Sequence, residues 1–236
     1  MNIQNKKRLV KDIGNIIKDP LTEQGIYYIH DEENMLEGYA MIIGPEDSIY
    51  EYGYYLFKFN FTVNYPYEPP KLTFYCFDRE TRFHPNLYRC GKVCLSILNT
   101  WKGESWTSCQ NIKSILLTIA SIMDKTPFLH EPGVKETHRE FKDYHEVVKY
   151  KNFYILEGLI SQSIELRGPL YSFYSIMKKE FLKNYEKIIK RIEKLEQGEY
   201  NNKEIVIKFY RNMRGNINYT NIKDLLKDVY YILNNK

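Results

Sequence analysis

The chain has 236 residues, enough for one sizeable core with an extension or for two small domains, and its 43% hydrophobic and 27% charged content is that of an ordinary soluble globular protein. A net charge of +4 is too mild to argue for nucleic-acid binding. No apolar run approaches the roughly 18 residues that a transmembrane helix needs, and MNIQNKKRLVKDI lacks the apolar centre of a signal peptide, so a soluble intracellular protein of the cytoplasm or nucleus is expected.

The first predicted element is a helix over 6–19, where Leu9, Ile13, Ile16 and Ile17 recur at helical spacing and Pro20 ends the run. Four strands follow at 26–32, 37–45, 55–63 and 72–77, the last after the Pro69-Pro70 break. The third is the clearest: Tyr55, Phe57, Phe59, Phe61 and Val63 alternate with Lys58, Asn60 and Thr62. Sequential strands of this kind predict an antiparallel meander. Residues 78–110 have little periodicity, as a functional loop would. A strong helix over 111–124 carries the stripe Ile112, Ile115, Leu116, Ile119, Ile122 and Met123. Beyond residue 136 the pattern turns helical. One or two helices are expected over 137–166, broken by Gly168-Pro169, then a long amphipathic helix over 172–196 and a last one over 221–234. The expected fold class is therefore α+β, with a core domain over 1–150 and a C-terminal α-helical extension over 151–236.

Without a secretion signal, Cys76, Cys90, Cys94 and Cys109 are expected to be reduced thiols. Cys76 shares a strand face with Leu72 and Phe74 and belongs to the core, and Cys90 is an exposed bystander. Cys90 and Cys94 are spaced C-x3-C with His84 and Cys109 near, but structural zinc uses two tight ligand pairs and the second is missing, so no metal is expected. No phosphate-binding glycine loop, Ser-His-Asp order or HExxH helix is present.

The segment RFHPNLYRCGKVCLSIL, residues 82–98, resembles the active-site signature of the ubiquitin-conjugating enzyme family: His84-Pro85-Asn86, a short glycine-containing turn, then Cys94 eight residues after Asn86. Tyr65-Pro66-Tyr67-Glu68-Pro69-Pro70 matches the family's loop upstream. Trp106 and the helix at 111–124 match downstream, and the first helix and four strands match in order. The resemblance spans roughly 6–150 and implies the family's UBC fold. It also implies a transferase that accepts ubiquitin or a ubiquitin-like protein from an activating enzyme as a thioester on Cys94 and passes it to a substrate lysine or a ligase. ATP is then used by the activating enzyme, and no cofactor is expected. The alternative is a non-catalytic adaptor with the same fold that binds ubiquitin or a ligase. Both acyl transfers pass through an oxyanion. The carboxamide of Asn86 is the candidate donor to it, alongside a role in holding the turn. The resemblance makes His84 a structural hydrogen-bonding residue rather than a general base, and Pro85 a fixer of the turn.

Departures from the family lie around this centre. Residues 99–105, NTWKGES, are longer than in compact relatives and resemble the larger, C-terminally extended branch. They either shape access to the thioester, with Trp101 the residue to test, or form an inert surface loop. The loop that relatives use toward ligases reads Trp106-Thr107-Ser108-Cys109 and lacks its proline, while Tyr67 retains the aromatic presented to ligases. Where relatives place an acidic residue before a proline at the gate for the incoming lysine, Glu131-Pro132 is the best match, with His130 next to it. Lys178, Lys179, Lys183, Lys187, Lys190, Arg191 and Lys194 give the 172–196 helix a basic face, either simply solvated or used for docking.

Overall fold

The computed structural model describes residues 1–235. Helix α1 (Ile3–Lys18) starts where the Asn2 side chain accepts the Asn5 backbone N–H at 2.8 Å. Its buried stripe is Asn5, Leu9, Asp12 and Ile16, and the expected Ile17 instead points out at 62% exposure. Two polar residues tolerate burial because each is bonded: Asn5 Nδ2 donates to Val63 O at 2.9 Å, and Asp12 accepts from the Tyr65 hydroxyl at 2.6 Å.

Strands β1 (Ile26–His30), β2 (Glu37–Ile43), β3 (Tyr54–Asn60) and β4 (Lys71–Phe74) form one antiparallel sheet in sequential order, as the meander predicts. Each is shorter than its sequence pattern. The third stops at Asn60 because the chain enters a turn, where Tyr65 N–H bonds to Thr62 O and Tyr67 N–H to Asn64 O. Val63 is therefore exposed rather than on the core face. Pairing brings Ala40 beside Phe57 and Ile42 beside Tyr55, and this face is fully buried. The opposite face is also buried at Tyr54 and Leu56. The extension reaches it, since the Tyr54 hydroxyl donates to Met177 O at 2.8 Å.

Helix α2 (Ile112–Ile122) opens on a reciprocal cap between Asn111 and Ser114 and buries Ile112, Ile115, Leu116 and Ile119. Helix α3 (Phe141–Ile160) is one unbroken rod that runs straight through residue 150. From it Asn152 reaches into the sheet region, accepting from the Tyr55 hydroxyl at 2.6 Å and donating to Glu51 O at 3.0 Å. Helix α4 (Tyr174–Glu196) follows a six-residue 3-10 helix at Gly168–Phe173. It buries Met177, Phe181, Ile188, Ile189 and Ile192. Arg191 on α4 pairs with Glu51 and donates to Ser48 O at 2.7 Å, so one residue of the expected basic face is an anchor to the core. Helix α5 (Tyr219–Asn234) closes the chain. None of the described helices is long and apolar enough to cross a membrane.

The extension is not wholly helical. Strands β5 (Lys203–Ile207) and β6 (Met213–Ile217) pair as an antiparallel hairpin, which the helical expectation omitted. Ile205, Ile207, Met213 and Ile217 face inward. Gly215 must lack a side chain, because a Cβ there would meet Val147 Cγ2 at 2.8 Å. The turn of this hairpin, Lys208–Tyr210 followed by Arg211 and Asn212, points back at the region around residue 84.

Candidate active site

Residues 86–94 form a narrow β-ribbon. Cys94 N–H donates to Asn86 O at 2.9 Å, Leu87 bridges Val93, and Tyr88 N–H donates to Lys92 O at 2.9 Å. The tip turns at Gly91 with φ +89°. A Cβ there would lie 2.9 Å from Thr73 Cγ2 and 3.0 Å from Phe74 O, so only glycine lets the tip lie against β4. The Gly91 carbonyl in turn accepts Phe74 N–H at 2.8 Å.

At the other end of the ribbon the expected trio comes together. Asn86 Nδ2 donates to the carbonyl of Cys94 itself at 2.6 Å. His84 Nδ1 accepts the Asn86 backbone N–H at 2.9 Å, which puts the ring proton on Nε2. The ring is fully buried, and burial, followed by the nearby His130, holds its pKa well below the usual histidine value. The imidazole is thus neutral, with one nitrogen committed to the turn. Beneath it the Arg82 guanidinium donates to His84 O and Pro85 O, the Tyr50 hydroxyl donates to Phe83 O at 2.7 Å, and the Tyr144 hydroxyl donates to Arg82 O at 2.9 Å.

Cys94 is 2% exposed. The 99–105 loop is tied directly to its strand. The Thr100 hydroxyl donates to Val93 O and accepts Leu95 N–H, both at 2.9 Å, while Trp101 stands 43% exposed on the loop. Cys76 is a contrasting thiol. It donates to Thr81 O at 3.3 Å, and burial and Asp78 push its pKa up to about 12, which makes it inert at neutral pH. Cys90 and Cys109 are exposed.

The two residues expected at the gate part company. His130 lies against His84, ring centroids 4.9 Å apart, with Nε2 2.8 Å from Asp124 Oδ2. Glu131 turns toward the extension, where its carboxylate accepts the Tyr210 hydroxyl at 2.7 Å. Tyr210 sits at the hairpin turn. Glu140 holds that turn by accepting the N–H groups of Lys208 at 3.2 Å and Phe209 at 3.0 Å, and Arg89 on the ribbon donates to Tyr210 O.

A family model described as ubiquitin-conjugating enzyme matches residues 8–154. The chain belongs to the ubiquitin-conjugating enzyme family. It is 36% identical over 187 residues to ubiquitin-conjugating enzyme E2 Z of Danio rerio, covering 76% of this chain and 54% of that protein. Against E2 Z of Homo sapiens it is again 36% identical over 187 residues, covering 76% and 50%. A probable ubiquitin-conjugating enzyme, protein 17 of Caenorhabditis elegans, is 32% identical over 196 residues, 79% of this chain and 27% of that protein. The chain thus spans about half the length of the E2 Z proteins it matches. Their 76% share is more than residues 1–154 could supply, so the likeness continues into the extension.

The residues expected to face partners of a ubiquitin-conjugating enzyme gather beside α1. Tyr67 is 71% exposed, while Trp106 is buried and donates its indole N–H to Pro66 O at 2.6 Å. Arg8 of α1 grips Asp12 and the carbonyls of Ser108 and Gln110, binding α1 to the loop that holds Trp106 and Ser108. Sequence reasoning missed Arg8 and Thr100. It also missed Tyr210, whose position against Glu131 depends on a contact across 79 residues.

Proposed function

We propose that this chain accepts ubiquitin or a ubiquitin-like protein as a thioester on Cys94 and transfers it to a lysine amine or to a ligase. The observation that carries this reading is the mutual clamp between Asn86 and Cys94, backbone to backbone at 2.9 Å and carboxamide to carbonyl at 2.6 Å. In charging, the Cys94 thiolate attacks the carbonyl carbon of the modifier's thioester on the activating enzyme. The new C–S bond forms as the old one breaks, and the activating enzyme leaves as its thiolate. In discharge, a neutral amine attacks the same carbonyl carbon, a C–N bond forms, the Cys94 thiolate departs, and the amine loses a proton to solvent or a nearby base.

Each step passes through an oxyanion. The Asn86 carboxamide has two N–H donors. One is spent on Cys94 O, which fixes the group beside the sulfur, and the other is left for the oxyanion. The two roles foreseen for Asn86 are thus compatible in one rotamer. Glu131, or His130 beside it, supplies the polar gate that orients the amine. Tyr67 and Ser108 present the activating-enzyme or ligase surface, the buried Trp106 holds the loop beneath them, and Trp101 and Thr100 govern access to the thiol. ATP is spent on the activating enzyme, and neither a metal nor another cofactor takes part here.

Mixing the chain with an activating enzyme, ATP and modifier should yield an adduct that thiol reductants release. No adduct across a panel of activating enzymes and modifiers would sink the reading.

A further inference from the structure

Between the tip of the active-site ribbon and the turn of the β5–β6 hairpin lies a cavity of about 430 Å³, lined by Arg82, Tyr88, Arg89, Cys90, Glu131, Phe209, Tyr210 and Arg211. Three of these are arginines and one is a carboxylate. The arginine ion pairs among the described residues use Arg8, Arg139, Arg167, Arg191 and Arg214, and leave Arg82, Arg89 and Arg211 without a carboxylate partner. The Arg82 guanidinium carbon lies over the Tyr88 ring, 3.2 Å from its centroid. Arg89 is held by Tyr210 O. Arg211 is exposed at the hairpin turn with φ +52°. Glu131 is occupied by the Tyr210 hydroxyl. The cavity therefore presents a net positive, partly desolvated wall, where an added carboxylate gains charge-assisted hydrogen bonds.

Its position says what would bring that carboxylate. The ribbon places the tip about three residues, roughly 10 Å, from Cys94. A polypeptide lying along the ribbon with its lysine at Cys94 would set a side chain two to four residues away over the cavity. We propose that this cavity selects acceptor segments that carry an Asp or Glu two to four residues from the target lysine. The assignment rests on Cys94 being the acyl carrier. It gives the extension a part in substrate choice, because Phe209, Tyr210 and Arg211 all come from it.

The test uses the full chain, charged in a first step and then chased with two lysine peptides that differ only in Glu or Gln three residues from the lysine. The Glu peptide should discharge the thioester roughly tenfold faster, and the ratio should shrink as salt is raised. Arg211→Glu should bring the ratio to one or below. Lys208→Glu, an equal charge change on an exposed neighbour outside the cavity, should keep it. Equal discharge of both peptides by the wild-type chain, or a ratio untouched by Arg211→Glu, overturns the proposal while leaving the carrier reading standing. A chain that never charges overturns the carrier reading itself. A second readout needs no charging. Cys90 lines the cavity and Cys109 is exposed elsewhere. The rate of alkylation by iodoacetate relative to iodoacetamide should be several-fold higher at Cys90 than at Cys109, and Arg211→Glu should remove the difference. Equal ratios at the two thiols would overturn the anionic pocket whether or not the chain charges.

Discussion

Asn86 concentrates two demands on one side chain. As a turn support it contributes the bond to Cys94 O, about 1 kcal/mol net. In the proposed role of oxyanion donor it would contribute more, because such a donor acts on charge that develops only in the transition state. Asn86→Ala is therefore expected to lower the melting temperature slightly but to slow discharge to free lysine by roughly 100-fold, with a smaller effect on charging. Single-turnover rates for the two steps, measured beside a thermal melt, separate the roles. Equal slowing of both steps together with a large loss of stability would leave Asn86 only its structural part. The trio His84, Asn86 and Cys94 was legible in sequence because its geometry is local: the ribbon folds back within eight residues, and Pro85 and Gly91 dictate how. Glu131 was singled out as a gate candidate only by its neighbour Pro132. What it touches was not, since Tyr210 arrives from another element.

Among the elements, the β5–β6 hairpin was the one overlooked, and the reason is physical. Its strands are five residues long, their outward positions are Glu204, Val206, Arg214 and Asn216, the inward face of the first opens on the exposed Lys203, and Gly215 interrupts the second. The alternation of Ile205 with Ile207 and of Met213 with Ile217 was the available signal, but on so short a span it cannot be told from one turn of helix. The first helix misled in the opposite way. Asn5 and Asp12 occupy core positions that hydrophobic periodicity assigns to apolar residues, and only distant partners, Val63 O and Tyr65, make this stable. The hairpin turn depends on one carboxylate. Glu140→Ala, which strips the acceptor from the N–H groups of Lys208 and Phe209, should cost about 1–3 kcal/mol. It should also raise amide exchange at residues 208–212. Unchanged exchange there would show that the turn is held by its aromatic contacts instead. On α1, Arg8→Ala should loosen the loop around Ser108 and weaken ligase binding without touching the chemistry, which a discharge assay with and without ligase can read.

Over the whole molecule, the extension shares the core. Helix α3 crosses residue 150 unbroken, Tyr54 in the sheet is bonded to Met177 of α4, and Arg191 of α4 is paired with Glu51. Both tryptophans, Trp101 and Trp106, lie before residue 150, whereas α4 and α5 lie in the extension. Urea unfolding followed by tryptophan fluorescence and by far-ultraviolet circular dichroism should therefore give one coincident transition. Two separated midpoints would mean that the extension folds apart from the core. Stability should also depend on acid. His145 is buried beside Phe128, and burial pushes its pKa down to about 4. His84 is shifted the same way. A histidine depressed in the folded state binds its proton first in the unfolded chain. The stability it allows is therefore complete above about pH 6.5 and is lost as pH falls from there toward 4. For His145 alone this amounts to about 3 kcal/mol. Urea midpoints between pH 7.5 and 4.5 should fall steadily, and a flat profile would mean that these rings are protonated in the folded state.

The central claim, that Cys94 and no other thiol carries the modifier, has one direct measurement. The wild-type chain, Cys94→Ser, Cys90→Ser and Cys109→Ser are each incubated with activating enzyme, ATP and modifier, and the adducts are treated with a thiol reductant. Wild type, Cys90→Ser and Cys109→Ser should give an adduct that the reductant releases. Cys94→Ser should give either none or one that resists, because an oxygen ester replaces the thioester. A reductant-sensitive adduct on Cys94→Ser would contradict the claim.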